Sequence, residues 1–210
     1  MLQQKTGSGP TLPLLFQELA STRQMMSLME KEFLAGSGAF VFDKADWVRL
    51  WYDPEHAIRS DCGTMTAYRA ITVGGQLLWY VFTDGKTRGF HAIETDPFAA
   101  MEAADRALAR RKMIRADHWD RIETVASDLR NGRQKFSVSL DDAHRSPLCT
   151  LGIEGFMQSV GLGRVQQING RLAGFLFKIE PQVGFVIHEA WLRALDQEAP
   201  LTQTEAQIAG

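Results

Sequence analysis

Three residues of the types used in nucleophilic catalysis lie close together in the sequence: Asp142, His144 and Cys149. A thiolate is the nucleophilic form of cysteine, an imidazole can take up its proton, and a carboxylate can orient the imidazole. This pattern supports the hypothesis of a thiol-dependent enzyme with those three roles. We favour the competing interpretation, in which Cys149 is an apolar filler, because cysteine is among the most buried residue types.

The elements that must position these groups lie in residues 133–161. Residues 136–140 alternate apolar side chains with serines, which predicts a half-buried strand. Ser146-Pro147 then predicts the start of a helix, because serine caps a free amide and proline suits the first helical position. Cys149 would lie in the first turn of that helix, where the helix dipole favours a thiolate.

A second hypothesis requires no chemistry from the cysteine. His144 and Arg145 directly precede the predicted helix start at Ser146. Cationic side chains and free helix amides together can bind an anion. The same segment is therefore a candidate site for a small anionic ligand.

The densest aromatic patch follows the first forty residues and includes Trp47 and Trp51. Large aromatic side chains usually form core, although they can also form the wall of a ligand pocket. In a pocket, Arg49 or Arg59 would supply polar contacts. We favour the core interpretation and keep the pocket as the alternative.

Composition excludes several classes of function. The chain has 210 residues, 45% of them hydrophobic, and a formal net charge of −2, so no global charge attracts it to nucleic acid or to an anionic membrane. We find no apolar run of the roughly 18 residues that a membrane helix needs. Two cysteines are too few for a disulfide framework, which favours a cytoplasmic location. No glycine-rich phosphate loop or metal-ligand spacing is present, so we expect no cofactor and no metal.

Turn residues predict the fold class. Gly74-Gly75 and Asn169-Gly170 each separate two apolar runs, and such dipeptides are typical of tight hairpins. Asp96-Pro97 and Asp117 predict helix starts, and Asn131-Gly132 predicts a helix end. Residues 183–188 are predicted to form a strand. We therefore expect an α+β fold: a mainly antiparallel sheet built from hairpins, with helices packed on one face.

The domain organisation is predicted from composition and self-similarity. Residues 1–12 are expected to be disordered, 13–196 to form a single α+β domain, and 197–210 to be a polar tail. Similar hairpin and helix sequences in 39–115 and 133–196 raise the hypothesis of an internal duplication. Residues 13–35 read as a methionine-rich helix, and methionine suits both core and adaptable partner surfaces.

We interpret the chain as a non-enzymatic module that binds a small anionic ligand or a protein partner, with homo-oligomer formation among the open alternatives. The enzyme that uses Cys149 is the alternative function. The absence of an intact catalytic motif favours the first interpretation.

Overall fold

A computed structural model describes residues 41–43 and 47–208, with side chains up to residue 197. The chain divides into two compact units, Met1–Met101 and Glu102–Gly210. The predicted disordered segment 1–12 and the predicted helix over 13–35 lie outside the described residues. The single domain over 13–196 and its internal duplication stay predictions.

The first unit contains a five-stranded antiparallel sheet in which every strand pairs with its neighbour in the sequence. Its core includes the fully buried side chains of Ile71, Tyr80 and Val81. The predicted α+β class with an antiparallel sheet is confirmed. The strands are β1 (Val41–Asp43), β2 (Leu50–Arg59), β3 (Met65–Thr72), β4 (Leu77–Thr83) and β5 (Phe90–Ala92).

The first predicted hairpin is confirmed. Strands β3 and β4 pair across the turn at Gly74-Gly75. Gly75 has a φ of 87°, a backbone conformation that residues with a Cβ rarely adopt. The Gly75 amide donates to the carbonyl of Thr72 at 2.9 Å, which closes the turn. Local turn chemistry therefore sets the register of the central strands.

The second unit packs helices around a small antiparallel pair of strands. Ile122, Val125, Ala126 and Leu129 form the buried face of its second helix. The elements are α1 (Pro97–Asp117, which begins in the first unit), α2 (Trp119–Asn131), β6 (Ser137–Ser139), α3 (Leu140–Arg145), α4 (Thr150–Ser159), β7 (Gln167–Asn169), α5 (Gly170–Ile179) and α6 (Val183–Ile208). Among the helices of the described residues, none is long and apolar enough to cross a membrane.

The second predicted hairpin, across Asn169-Gly170, is wrong. Asn169 is the N-cap of α5, and its side chain accepts a hydrogen bond from the Leu172 amide at 2.9 Å. Strand β7 pairs with β6 instead. Asparagine favours both hairpin turns and helix caps, and here the capping preference prevails.

Two further expectations in this unit are wrong. Residues 183–188, predicted as a strand, form the start of α6, in which all residues from Val183 to Ala190 are buried. A continuously buried helix lacks the amphipathic period, so its sequence resembles a covered strand. The predicted helix start at Asp117 is also wrong, because His118 is the N-cap of α2.

Candidate functional site

The segment that carries the predicted catalytic residues folds differently from the expectation. Helix α3 begins directly after β6, where the Ser139 hydroxyl accepts from the Asp142 amide at 3.1 Å and Asp142 Oδ2 accepts from the Ser139 amide at 2.8 Å. This reciprocal pair is a capping box, with aspartate in the position often held by glutamate. The predicted helix start at Ser146 is therefore wrong, because Ser146 is the C-cap of α3; the helix itself is present as α4, which begins at Thr150.

Asp142 is fully buried and both of its carboxylate oxygens are bonded. Arg193 donates to both oxygens, Nε to Oδ1 and Nη2 to Oδ2, each at 2.9 Å, and Arg145 donates to Oδ1. Burial alone would raise the pKa of this carboxyl, but the hydrogen bonds from Arg193, Ser139 and Arg145 outweigh it and bring the pKa to about 2. The geometry is that of a structural ion pair that joins α3 to α6.

His144 is exposed and lies outside this network. Within the described part of the chain, no hydrogen bond joins its ring to Asp142 or to Cys149. The structure thus does not bring the three predicted catalytic residues together through hydrogen bonds. Their catalytic roles stay a prediction.

Cys149 is the N-cap residue of α4 and is half-buried. Its thiol makes no capping hydrogen bond to the helix amides. Its sulfur lies so close to Gly152 that a Cβ at position 152 would be 2.9 Å from it. The thiol therefore lies against the first turn of the helix, and glycine in that turn makes room for it.

The candidate anion ligands Arg145 and Ser146 are bonded within the protein. Arg145 donates to Asp142, and its carbonyl accepts from Arg110. The Ser146 hydroxyl is buried and donates to the carbonyl of Ala143 at 2.6 Å. These bonds tie the connection after α3 to its surroundings, and the ligand role of Arg145 and Ser146 stays a prediction.

A second ion network lies where α6 meets α1. Glu189 Oε1 accepts from Arg110 Nη2 at 2.7 Å and lies 3.3 Å from His188 Nδ1. Burial raises the pKa of Glu189, but the bonds from His188 and Arg110 and their charges shift it below its ordinary value. The network links two buried residues of α6, His188 and Glu189, to the partly exposed Arg110 of α1.

The aromatic candidates belong to the first unit. Trp51 is buried in β2 and its ring centroid lies 5.1 Å from that of Phe42. Trp47 is half-buried just before that strand, and Arg49 is exposed. Burial of Trp51 fits the core interpretation, and the ligand role of Trp47 and Arg49 stays a prediction.

Sequence reasoning missed an exposed thiol. Cys62 lies in the turn between β2 and β3, where its sulfur is 3.5 Å from the Ser60 hydroxyl and 3.0 Å from the Thr64 hydroxyl. These hydrogen bonds lower the pKa of the thiol from 9.0 to about 7. The sequence signal that could have revealed this thiol is the pair of hydroxyl residues two positions before and two positions after Cys62, Ser60 and Thr64.

Sequence reasoning also missed an exposed apolar face on α5. Leu172, Phe175 and Ile179 are 37%, 47% and 64% exposed. Their spacing of three and four residues places them along one side of the helix. We call these three residues the α5 stripe.

The opposite side of α5 is fixed against α2 by close backbone contact. A Cβ at Gly174 would lie 2.6 Å from the Ala126 carbonyl oxygen, and one at Gly170 would lie 2.5 Å from the Phe136 carbonyl oxygen. Ala173 and Leu176 belong to the buried core. This close packing fixes the rotation of α5 about its own axis. The α5 stripe, on the opposite side, therefore stays exposed to solvent.

Among the described residues, no group of three or more His, Cys, Asp or Glu side chains has an arrangement that could hold a metal ion.

In comparisons with known proteins, no family model, curated protein or solved structure matches the chain.

Proposed function

We propose that this protein is a non-enzymatic interaction module that binds a helical segment of another protein through the α5 stripe. The observation that carries the proposal is the exposure of Leu172, Phe175 and Ile179 on one side of a ten-residue helix. Single exposed apolar residues are normal on protein surfaces, but an aligned row of large ones is typical of interaction sites.

Rigidity supports this proposal. The Gly170 and Gly174 contacts with α2 and its neighbouring chain hold α5 in place before any partner arrives. The Asn169 cap fixes the first turn of the same helix. A preformed surface loses little conformational entropy on binding, which favours affinity.

Phe175 is the expected anchor of the interface. It lies between Leu172 and Ile179 along the stripe, and it is the one aromatic residue of the three. Aromatic side chains are enriched in the buried centres of interfaces. Its removal should therefore weaken binding more than the removal of an exposed aromatic elsewhere.

The test uses the full-length protein and a labelled synthetic helix with leucine on one face and glutamine elsewhere. We expect saturable binding by fluorescence anisotropy, and a loss of at least about tenfold in affinity for Phe175→Ser. Phe98→Ser is the matched control, since Phe98 is 50% exposed on a different helix. Equal effects of the two substitutions, or no binding by the wild type, would refute the proposal.

We also propose a cytoplasmic location. Cys62 is an exposed free thiol, which fits a reducing compartment. Thiol labelling of intact cells under conditions that exclude disulfide exchange tests this idea. An oxidised Cys62 in the native host would contradict it.

A further inference from the structure

Two cations lie beside the α5 stripe, and no acidic residue is found on this helix. Arg171 and Lys178 are both exposed, and neither takes part in an ion pair within the described residues. Residues seven apart return to nearly the same side of a helix, about 10.5 Å along its axis. The stripe therefore has one positively charged edge with two charges at a seven-residue spacing.

We infer that the partner is an amphipathic helix with a row of carboxylates along one edge, two of them seven residues apart. This inference rests on the proposed function, because it names the partner of the same surface. The apolar face of the partner would cover Leu172, Phe175 and Ile179. Its carboxylates would face Arg171 and Lys178, where complementary rim charges set orientation and suppress wrong partners.

A second copy of this chain is a poorer occupant of the surface. The charged residues of α5 are Arg171 and Lys178 alone, so a copied α5 would bring two more cations and no carboxylate. Like charges placed together at an interface are unfavourable. Self-association through α5 would leave the positive edge unpaired or repelled.

An anionic membrane surface is also a poorer occupant. Membrane-surface helices typically carry a strongly basic polar face. Here α5 is ten residues long, has two cations, and belongs to a chain with a net charge of −2. Its other side is buried against α2 and cannot widen the apolar face.

The experiment compares three labelled helices that share one leucine face and differ only in the flanking residues, which are glutamate, glutamine or lysine at a seven-residue spacing. We expect the glutamate helix to bind the full-length protein about tenfold more tightly than the glutamine helix, and the lysine helix to bind least. The difference should shrink at high salt, because exposed charges are screened.

Charge-reversal variants give the second arm. Arg171→Glu combined with Lys178→Glu should abolish the preference for the glutamate helix, while Phe175→Ser should weaken all three helices. The control is Lys112→Glu combined with Arg164→Glu, which changes the net charge equally at exposed positions outside α5.

The outcomes separate the two proposals. Equal binding of the glutamate and glutamine helices would overturn the acidic partner and leave the interaction module intact. Failure of all three helices would overturn both. If the wild type forms concentration-dependent dimers that Phe175→Ser abolishes, the surface belongs to a second copy of the chain. If the protein binds phosphatidylserine vesicles through the α5 stripe but binds no helix, the surface belongs to a membrane. Either result overturns the inference.

Discussion

Arg193 donates two hydrogen bonds, each 2.9 Å long, to the carboxylate of Asp142, which lies 51 residues earlier in the chain. The same guanidinium donates from Nη2 to the carbonyl of Ser137 at 2.8 Å. One side chain of α6 thus bonds both the first residue of β6 and the first turn of α3. We call this pair of residues, Arg193 and Asp142, the clamp; the catalytic role of Asp142 stays a prediction.

Removal of this clamp should destabilise the fold. Arg193→Met keeps the aliphatic stem but leaves the fully buried carboxylate of Asp142 without its main cation. Loss of one partner of a buried ion pair typically costs about 3–5 kcal/mol in the free energy of unfolding. The measurement is urea unfolding followed by circular dichroism.

Arg106→Met is the control for that variant. Arg106 pairs with Glu102, and both side chains are more than two-thirds exposed, so its loss should change the free energy of unfolding by less than about 1 kcal/mol. If the two variants unfold at the same urea concentration, the stability of the fold does not depend on the bonds between Arg193 and Asp142.

The clamp should also make stability depend on acid. The pKa of Asp142 is about 2 in the folded protein and has an ordinary value of 3.8, so its contribution is present above pH 3.8 and is lost as the pH falls toward 2. The contribution at neutral pH is on the order of 2 kcal/mol. Asp142→Asn should flatten the fall in unfolding free energy over this range, and an unchanged slope would contradict the assignment.

Cys62 should be the faster of the two thiols in alkylation. Hydrogen bonds from Ser60 and Thr64 lower its pKa to about 7, and the side chain is exposed. In a Cys149→Ser chain, the rate of iodoacetamide labelling should rise with a midpoint near pH 7. Substitution of both hydroxyl neighbours, Ser60→Ala with Thr64→Val, should move this midpoint upward.

The same titration on a Cys62→Ser chain tests the hypothesis of a reactive Cys149. If His144 stabilises the thiolate, His144→Ala should raise the pH at which Cys149 is labelled. Identical profiles with and without the imidazole would remove the proposed base.

Gly174 should tolerate no side chain. An added Cβ would meet the backbone of α2 at 2.6 Å, which cannot yield as a flexible side chain would, so Gly174→Ala should destabilise by about 1–3 kcal/mol. Gly74→Ala is the comparison, because its Cβ would meet only Thr72 Oγ1 at 3.7 Å. Thermal unfolding of both variants decides; equal melting temperatures would mean that α5 does not pack as closely as described.

Local turn chemistry made part of the fold predictable from sequence. The turn at Gly74-Gly75 and the helix end at Gly132 depend on a positive φ that glycine adopts freely. The helix start at Asp96-Pro97 depends on a side-chain cap, and Asp96 Oδ2 indeed accepts from the Ala99 amide at 2.8 Å. Each of these features is decided within a few residues.

Other features depend on partners distant in sequence and were therefore missed. The dipeptide Asn169-Gly170 suits both a hairpin turn and the start of a capped helix. In the structure it starts a helix, and Gly170 lies close to Leu129 and Phe136, which are distant in sequence. The apolar run from Leu172 to Phe177 does not reveal which side of α5 is covered. The packing of Gly174 against α2 decides which side of α5 is buried and which side is the exposed α5 stripe.

The most direct test of the interaction surface is a methyl NMR titration of the full-length protein with the glutamate-flanked helix. Ile179 is 64% exposed on the α5 stripe, and Ile93 is 52% exposed in the first unit, so the two methyl groups form a matched pair. We predict that the resonances of Ile179 and Leu172 shift saturably while that of Ile93 stays in place. Equal shifts at Ile179 and Ile93, or no shift at either, would contradict binding through α5.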